Sequence, residues 1–159
     1  MPIIFLRTEI QAPIDICFDL ARSIDLHMIS TKHTGEKAIS GRTSGLIKLG
    51  ETVTWKAKHL GFWQTLTSRI TAMEIPTRFV DEMEDGPFES MWHEHTFTHE
   101  GSKTVMKDEF HFESPMGIIG IFVNDIYLTT YLAKLLQKRN AAIKLYAENG
   151  QWKEILKRT

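Results

Sequence analysis

The sequence contains one cysteine among 159 residues, which excludes an internal disulfide. Cys17 lies in a predicted helix, where we expect a small buried side chain rather than a catalytic thiol. No apolar run approaches the ~20 residues that a membrane-spanning helix needs. The short apolar run after Met1 has no basic region before it, unlike a secretory signal. We therefore expect a cytoplasmic protein without a membrane span.

The chain also lacks a cluster of positive or negative charge. Lys and Arg number 19 and Asp and Glu number 20, so the formal net charge is −1. Without a block of basic residues, the sequence has no positively charged surface that would indicate nucleic-acid binding.

No catalytic or cofactor-binding motif is present, so no cofactor is predicted. The apolar share of 42% is ordinary for a globular protein, and the length predicts one domain over 1–159.

The longest regular pattern runs from about Gly117 to Glu148 without a proline. At 100° per residue its apolar side chains fall on one side, as expected for an amphipathic helix. They are Ile121, Leu128, Leu132, Leu135, Ala142, Ile143 and Tyr146. Asn149-Gly150 then supplies a pair suited to a left-handed helix end. About thirty residues at 1.5 Å each make a rod of roughly 45 Å, which needs a large apolar surface to lie on.

Two charged residues, Asp125 and Arg139, interrupt this apolar stripe. Unpaired charges are costly on a helix that lies flat on a dry core. Either they pair with groups on the sheet or at its rim, or part of the stripe faces a cavity with polar contents.

The region before this helix predicts an antiparallel sheet. A first strand over 2–10 precedes two short helices, one beginning at Pro13 and one over Ile24 to Met28. Further strands are predicted near Lys37–Ile39, from Glu51 to His59, and over 62–73, 79–84, 88–99 and 104–113. Tight turns between the later strands indicate sequential hairpins. The predicted fold is α+β, a curved antiparallel sheet of six or seven strands gripping one long C-terminal helix.

Several short strings, together with this element order, carry a family resemblance. The strings are Ala12-Pro13, Leu49 to Trp55 (LGETVTW), Phe79 to Glu82 (FVDE), Gly86 to Phe88 (GPF) and His93 to Phe97 (HEHTF). The chain resembles the helix-grip START-type superfamily, and in particular a bacterial branch often described as polyketide-cyclase-like or SRPBCC ligand-binding. The resemblance implies a cavity between the sheet and the long helix. It implies neither a particular ligand nor an enzyme, because the superfamily contains many binding proteins.

The period-two strands predict which side chains face this cavity. On the strand from Phe88, the set with His93 and His95 is assigned inward together with Met91, Phe97 and His99, and the set with Phe88 and Trp92 outward. Polar side chains then converge in an apolar interior, as in small-molecule sites. The predicted ligand contacts are Trp55, His59, Leu66, Phe79, Asp81, Met83, His93, His95, Phe97, Asp108, Phe110, Leu128, Leu132 and Arg139. The alternative is a His–Asp network that only orders the interior.

We predict that the chain binds or transfers a small apolar or amphipathic molecule, lipid-like or polyketide-like. One alternative is a cyclase or dehydratase in which His93, His95 and Asp108 act as general acid–base groups. Another is a regulatory interaction module with a filled core. His-x-His with Asp81 or Asp108 could also form an open metal site. Nothing else in the sequence fixes the geometry of such a site, so no metal is predicted.

Overall fold

A computed structural model describes residues 2–114 and 125–157. Its strands are β1 (Ile3–Ile10), β2 (Lys37–Gly41), β3 (Thr52–His59), β4 (Phe62–Glu74), β5 (Arg78–Asp85), β6 (Ser90–Glu100) and β7 (Lys103–Glu113). Its α-helices are α1 (Ile14–Ala21), α2 (Ile24–Ser30), α3 (Asp125–Glu148) and α4 (Trp152–Leu156). A 3-10 turn, Lys32–Thr34, precedes β2.

The seven strands form one antiparallel sheet in the order β1-β7-β6-β5-β4-β3-β2. The consecutive hairpins from β3 to β7 account for most of it. Register shifts in β4, at Thr67/Ser68 and Ile70/Ala72, add the local bends that curve a sheet. The predicted α+β fold with two short helices after the first strand is confirmed.

Local sequence explains where the short helices begin. Pro13 precedes α1 in an extended conformation, and its fixed φ suits this position. Ser23 caps α2, because its Oγ accepts the Leu26 N–H at 3.1 Å. Cys17 is buried in α1 and is not in a disulfide, and burial raises the pKa of its thiol to about 11.

The long helix α3 lies against β1, α1 and α2. Its fully buried residues are Arg139, Asn140, Ile143 and Ala147. Four side chains of the predicted apolar side are half-buried rather than fully buried: Leu128, Leu132, Leu135 and Tyr146. The first three line an internal cavity and therefore keep exposed surface. The predicted start of the helix at Gly117 to Ile119, and Ile121 with it, lie outside the described residues.

Asp125 is exposed and accepts a hydrogen bond from Ser114 Oγ at 2.6 Å, which agrees with the alternative that it pairs at the rim of the sheet. Two further predictions are corrected by the structure. His99 was assigned inward but is exposed near the end of β6. Phe88 was assigned outward but packs on Phe112, with ring centroids 5.6 Å apart. Strand alternation does not apply to Phe88, because β6 begins only at Ser90.

The largest apolar core joins α1, α2 and the sheet to the second half of α3. Its centre includes Ile10, Phe18, Leu20, Phe97, Met106 and Ile143. The helix α4, which was not predicted, adds Ile155 to this core. Among residues 2–114 and 125–157, no helix is long and apolar enough to cross a membrane.

Candidate functional site

A cavity of about 260 Å³ lies between the sheet and the first half of α3. Its wall combines side chains from α2, β3 to β7 and α3. The apolar part includes Ile24, Val53, Leu66, Ile70, Met91, Phe110, Leu128 and Leu136. The polar part includes His27, Glu36, His59, Asp81, His93, His95, Tyr131 and Arg139. An apolar concavity with a few convergent polar groups is the usual form of a small-molecule site.

Most of the predicted ligand contacts lie on this wall. They are Trp55, His59, Leu66, Phe79, Asp81, His93, His95, Phe110, Leu128, Leu132 and Arg139. Three predicted contacts pack behind it. Phe97 lies in the core beside Phe18, Met83 packs in the smaller apolar cluster around Phe112, and Asp108 is covered by the two histidines. Alternation predicts the face of a sheet, but not how deep a side chain lies behind that face.

Asp81, His93, His95 and Asp108 form a buried cluster, which we call the His/Asp cluster. Strand register explains it, because Asp81 lies opposite His93, and His95 opposite Asp108. The hydrogen bonds run diagonally, from His95 Nε2 to Asp81 Oδ2 and from His93 Nε2 to Asp108 Oδ1, each at 2.9 Å. The two imidazole rings lie side by side with centroids 3.8 Å apart.

The helix α3 supplies two neighbours of this cluster. Asn140 Nδ2 donates to Asp108 Oδ2 at 2.7 Å. Arg139 Nη2 donates to the Ala21 carbonyl at 2.9 Å, while its Nη1 lies 3.7 Å from Asp108 Oδ1. Among the described residues, three buried polar atoms here have no hydrogen-bond partner: His95 Nδ1, Arg139 Nη1 and Asn140 Oδ1. The cluster therefore has hydrogen-bonding capacity left over.

The electrostatics of the cluster follow from burial and pairing. Burial lowers the pKa of His93 to about 4, with a further contribution from the neighbouring His95, so His93 is neutral at pH 7. Burial alone would raise the pKa of Asp108, but the His93 hydrogen bond and the close approach of the His95 ring, at 3.0 Å, hold it well below its usual range. Burial would also raise the pKa of Asp81, but the His95 hydrogen bond and nearby positive charge outweigh burial and lower it. Both carboxylates are therefore ionised at neutral pH.

A second polar group, which we call the His59 cluster, contains His27, Glu36, His59 and Tyr131. His59 Nδ1 lies 2.8 Å from Tyr131 Oη and thereby joins the end of β3 to α3 across the cavity wall. His27 Nε2 lies 3.2 Å from Glu36 Oε2, and its ring stacks on Trp55 with centroids 4.1 Å apart. Burial lowers the pKa of His59, and the nearby His27 holds the pKa of Glu36 below its usual value despite burial.

Sequence reasoning missed several of these polar residues. Tyr131 lies three residues after Leu128 and four before Leu135, and this helical spacing could have placed it on the same face. Asn140 directly follows Arg139, and its burial depends on the angle at which α3 crosses the sheet. His27 and Glu36 come from a helix end and a connection, where no periodicity fixes the direction of a side chain.

The class that this architecture defines is the helix-grip fold with an internal cavity. Similar solved structures include a protein from Thermus thermophilus, with a TM-score of 0.70 and 14% identity over 92% of this chain and 100% of that chain. A START superfamily protein from Mycobacterium smegmatis has a TM-score of 0.70 and 8% identity over 91% and 96%. Major latex-like protein 151 from Panax ginseng has a TM-score of 0.67 and 18% identity over 92% and 97%.

No protein-family model and no curated protein matches the chain. The structural similarity extends over nearly the whole chain at identities below 20%. The helix-grip START-type fold expected from the short strings is therefore confirmed. At such identities the similarity concerns the fold alone.

Proposed function

We propose that the protein binds or transfers a small apolar or amphipathic molecule in the cavity between the sheet and α3. The observation that carries the proposal is the cavity itself, with a volume of about 260 Å³, a mainly apolar wall and buried polar groups on one side. Its volume is close to the lower end of the ~300–1,000 Å³ that is typical of small-molecule sites. A binding or transfer protein needs such a cavity, and a purely structural domain does not.

The wall also favours one class of ligand. An apolar body would contact Leu66, Phe110 and Leu132, which are half-buried or buried side chains around the space. A polar end would lie beside Arg139, whose Nη1 is buried without a hydrogen-bond partner among the described residues. A guanidinium donates only, so it would pair with an acceptor oxygen such as a carboxylate or carbonyl. We therefore favour a ligand with an apolar skeleton and one acceptor head group.

Two alternative functions have less support. A general acid or base works best with a pKa near the operating pH, whereas burial lowers the pKa of His93 to about 4. This favours binding over a cyclase or dehydratase reaction at His93. An interaction module with a filled core would leave no reason for a cavity of about 260 Å³.

Native mass spectrometry of protein purified from its own host tests the proposal directly. We expect a retained small molecule that is released on denaturation. In parallel, the apolar anionic probe 8-anilino-1-naphthalenesulfonate should bind with one site per chain and change the fluorescence of Trp55, which is buried on the cavity wall. The Trp55→Phe variant should lose most of this fluorescence change.

Trp63→Phe is the matched control, because Trp63 is 58% exposed on the outer side of the sheet. This variant should keep the response of the unmodified protein. No retained molecule together with no saturable probe binding would contradict the proposal. A response that is equal in the Trp55 and Trp63 variants would place the probe outside the cavity.

A further inference from the structure

Three potential metal ligands on β5 and β6 face the cavity at one point. Asp81 Oδ2 lies 2.9 Å from His95 Nε2 and 4.0 Å from His93 Nδ1. One ligand atom from each of the three residues lies within 4.8 Å of the others. A zinc-type ion binds nitrogen and oxygen at about 2.0–2.2 Å, so its tetrahedral ligand atoms lie roughly 3.3–3.6 Å apart, a separation between the 2.9 Å and 4.0 Å found here.

His95 is placed between two carboxylates, with Nε2 2.9 Å from Asp81 and Nδ1 3.0 Å from Asp108. A neutral imidazole carries one N–H. Whichever nitrogen holds the proton, the other nitrogen directs a lone pair toward a carboxylate oxygen. Arg139 adds positive charge nearby, but its Nη1 lies 3.7 Å from Asp108 Oδ1, beyond hydrogen-bonding distance. A cation beside Asp81 would balance the two carboxylates and accept a lone pair from His95 Nε2.

His93 supplies a second nitrogen at the same point. Its Nε2 is used by the 2.9 Å hydrogen bond to Asp108, so its Nδ1 is the nitrogen left toward Asp81. This Nδ1 lies 4.0 Å from Asp81 Oδ2, beyond hydrogen-bonding distance, so its lone pair is available to a ligand. One cation would accept the lone pairs of His93 Nδ1 and His95 Nε2 together with the Asp81 carboxylate.

Asp108 provides the support that metal-bound histidines usually have. A carboxylate behind such a histidine fixes its tautomer and its orientation. Asp108 Oδ1 lies 2.9 Å from His93 Nε2 and 3.0 Å from His95 Nδ1, the nitrogens turned away from Asp81. Its second oxygen accepts from Asn140 at 2.7 Å, which fixes the carboxylate in turn. This carboxylate thus orients His93 by a hydrogen bond and lies directly behind His95 Nδ1.

We infer that Asp81, His93 and His95 bind a divalent transition-metal ion of the zinc class, with Asp108 and Asn140 as positioning residues. Two imidazoles and one carboxylate suit Zn²⁺, Co²⁺ or Fe²⁺ better than Ca²⁺ or Mg²⁺, which prefer oxygen ligands. Three protein ligands leave at least one coordination position open, as in catalytic metal sites. Since all three residues line the cavity, that position faces the space where a small molecule would bind.

The test uses the full chain after removal of metals with EDTA. We expect Zn²⁺ to bind with one ion per chain in calorimetry, and Co²⁺ to give a visible absorption band of the same stoichiometry. Asp81→Asn and His95→Gln should each weaken binding by at least ~100-fold, and Asp108→Asn by about 10–100-fold. Glu82→Gln on β5 and His99→Gln on β6 are the matched controls, and both should bind as the unmodified protein does.

Measurements on the unmodified chain keep the inference testable if a variant fails to fold. Bound Co²⁺ is paramagnetic and should shift the NMR signals of the His93 and His95 rings, but not those of exposed His99. Absence of stoichiometric binding, or unshifted His93 and His95 signals, would overturn the inference. Retained affinity in folded Asp81→Asn and His95→Gln would do so as well. Probe binding in EDTA tests the proposed ligand-binding function separately, so the two can fail independently.

Discussion

The two halves of α3 have different surroundings, although they belong to one continuous helix. In the second half Ile143 and Ala147 are buried in the main core, with exposed fractions of 1% and 5%. In the first half Leu128 and Leu132 are half-buried and face the cavity. Arg139 and Asn140 lie at the boundary between the two regions and contact Ala21 and the His/Asp cluster.

This difference separates a closely packed region from a region beside a cavity along one helix. Close packing makes the second half costly to change, because buried side chains have many partners. The first half keeps apolar surface uncovered, which gives up some stability. A helix whose apolar stripe were covered throughout would fit a solid core. The uneven burial of this stripe therefore follows from the cavity beside Leu128 and Leu132.

Truncating one apolar side chain in each half of α3 should give the largest difference in the free energy of unfolding. Ile143→Ala removes buried methyl groups from a filled region and should lower the free energy of unfolding by about 2–5 kcal/mol. Leu132→Ala should cost only about 1 kcal/mol, because part of its surface already faces the cavity. Chemical denaturation of both variants measures the two values. Equal losses would contradict the difference between the halves.

The boundary can be tested at Asp108. Asp108→Asn keeps the shape of the side chain but turns an NH₂ group toward the histidines or toward Asn140, both of which present donors. Leaving such buried groups unsatisfied should cost about 1–3 kcal/mol. Glu109→Gln is the control on the same strand, because Glu109 points outward and only bonds His111. If denaturation midpoints shift equally in both variants, burial of Asp108 does not matter.

Acid should weaken the cavity region, and the sign follows from His93. Its pKa falls from about 6.5 in the unfolded chain to about 4 in the folded protein, so between these values the unfolded state binds more protons. Stability should therefore decrease as the pH falls from about 6.5 to about 4, by at most about 1.4 kcal/mol per pH unit for one proton. The lowered pKa values of Asp108 and Asp81 extend the loss to lower pH.

Unfolding measured across this pH range in EDTA checks the expectation. His99→Gln should leave the slope unchanged, because His99 is exposed. A stability that is flat between pH 6.5 and pH 4 would show that His93 is not buried as a neutral ring.

A small effect on stability is expected at Tyr131. Tyr131→Phe removes the 2.8 Å hydrogen bond between Tyr131 Oη and His59 Nδ1, which should cost about 0.5–1.5 kcal/mol. Because this bond joins β3 to α3 across the cavity wall, we expect faster release of bound 8-anilino-1-naphthalenesulfonate in stopped-flow measurements. Trp63→Phe is the control, since Trp63 is 58% exposed on the outer side of the sheet. Identical release rates in the two variants would contradict a closing role for the Tyr131 contact.

The sequence by itself determined the sheet strands, the two short helices, the long helix and most of their faces. Period-two alternation placed His93, His95, Asp81 and Asp108 on one side of the sheet, because neighbouring antiparallel strands keep their side chains in register. Helical periodicity and Asn149-Gly150 predicted the long helix and its end, and Gly150 has the left-handed φ of 84° expected there. These properties depend on residues close in sequence or on adjacent strands, so they can be inferred from a single sequence.

Only the tertiary structure decided how deeply each side chain is buried and which residues it contacts. Whether Leu132 meets a core or a cavity depends on how far the curved sheet stands from α3, and no periodicity encodes that distance. Asn140 joins Asp108 across 32 residues of sequence, and Arg139 reaches Ala21 across 118. His99 has the same strand parity as His93 and His95, but it lies beyond the covered part of the sheet and is exposed. Periodicity sets the direction of a side chain, whereas the packing of distant elements sets what that side chain meets.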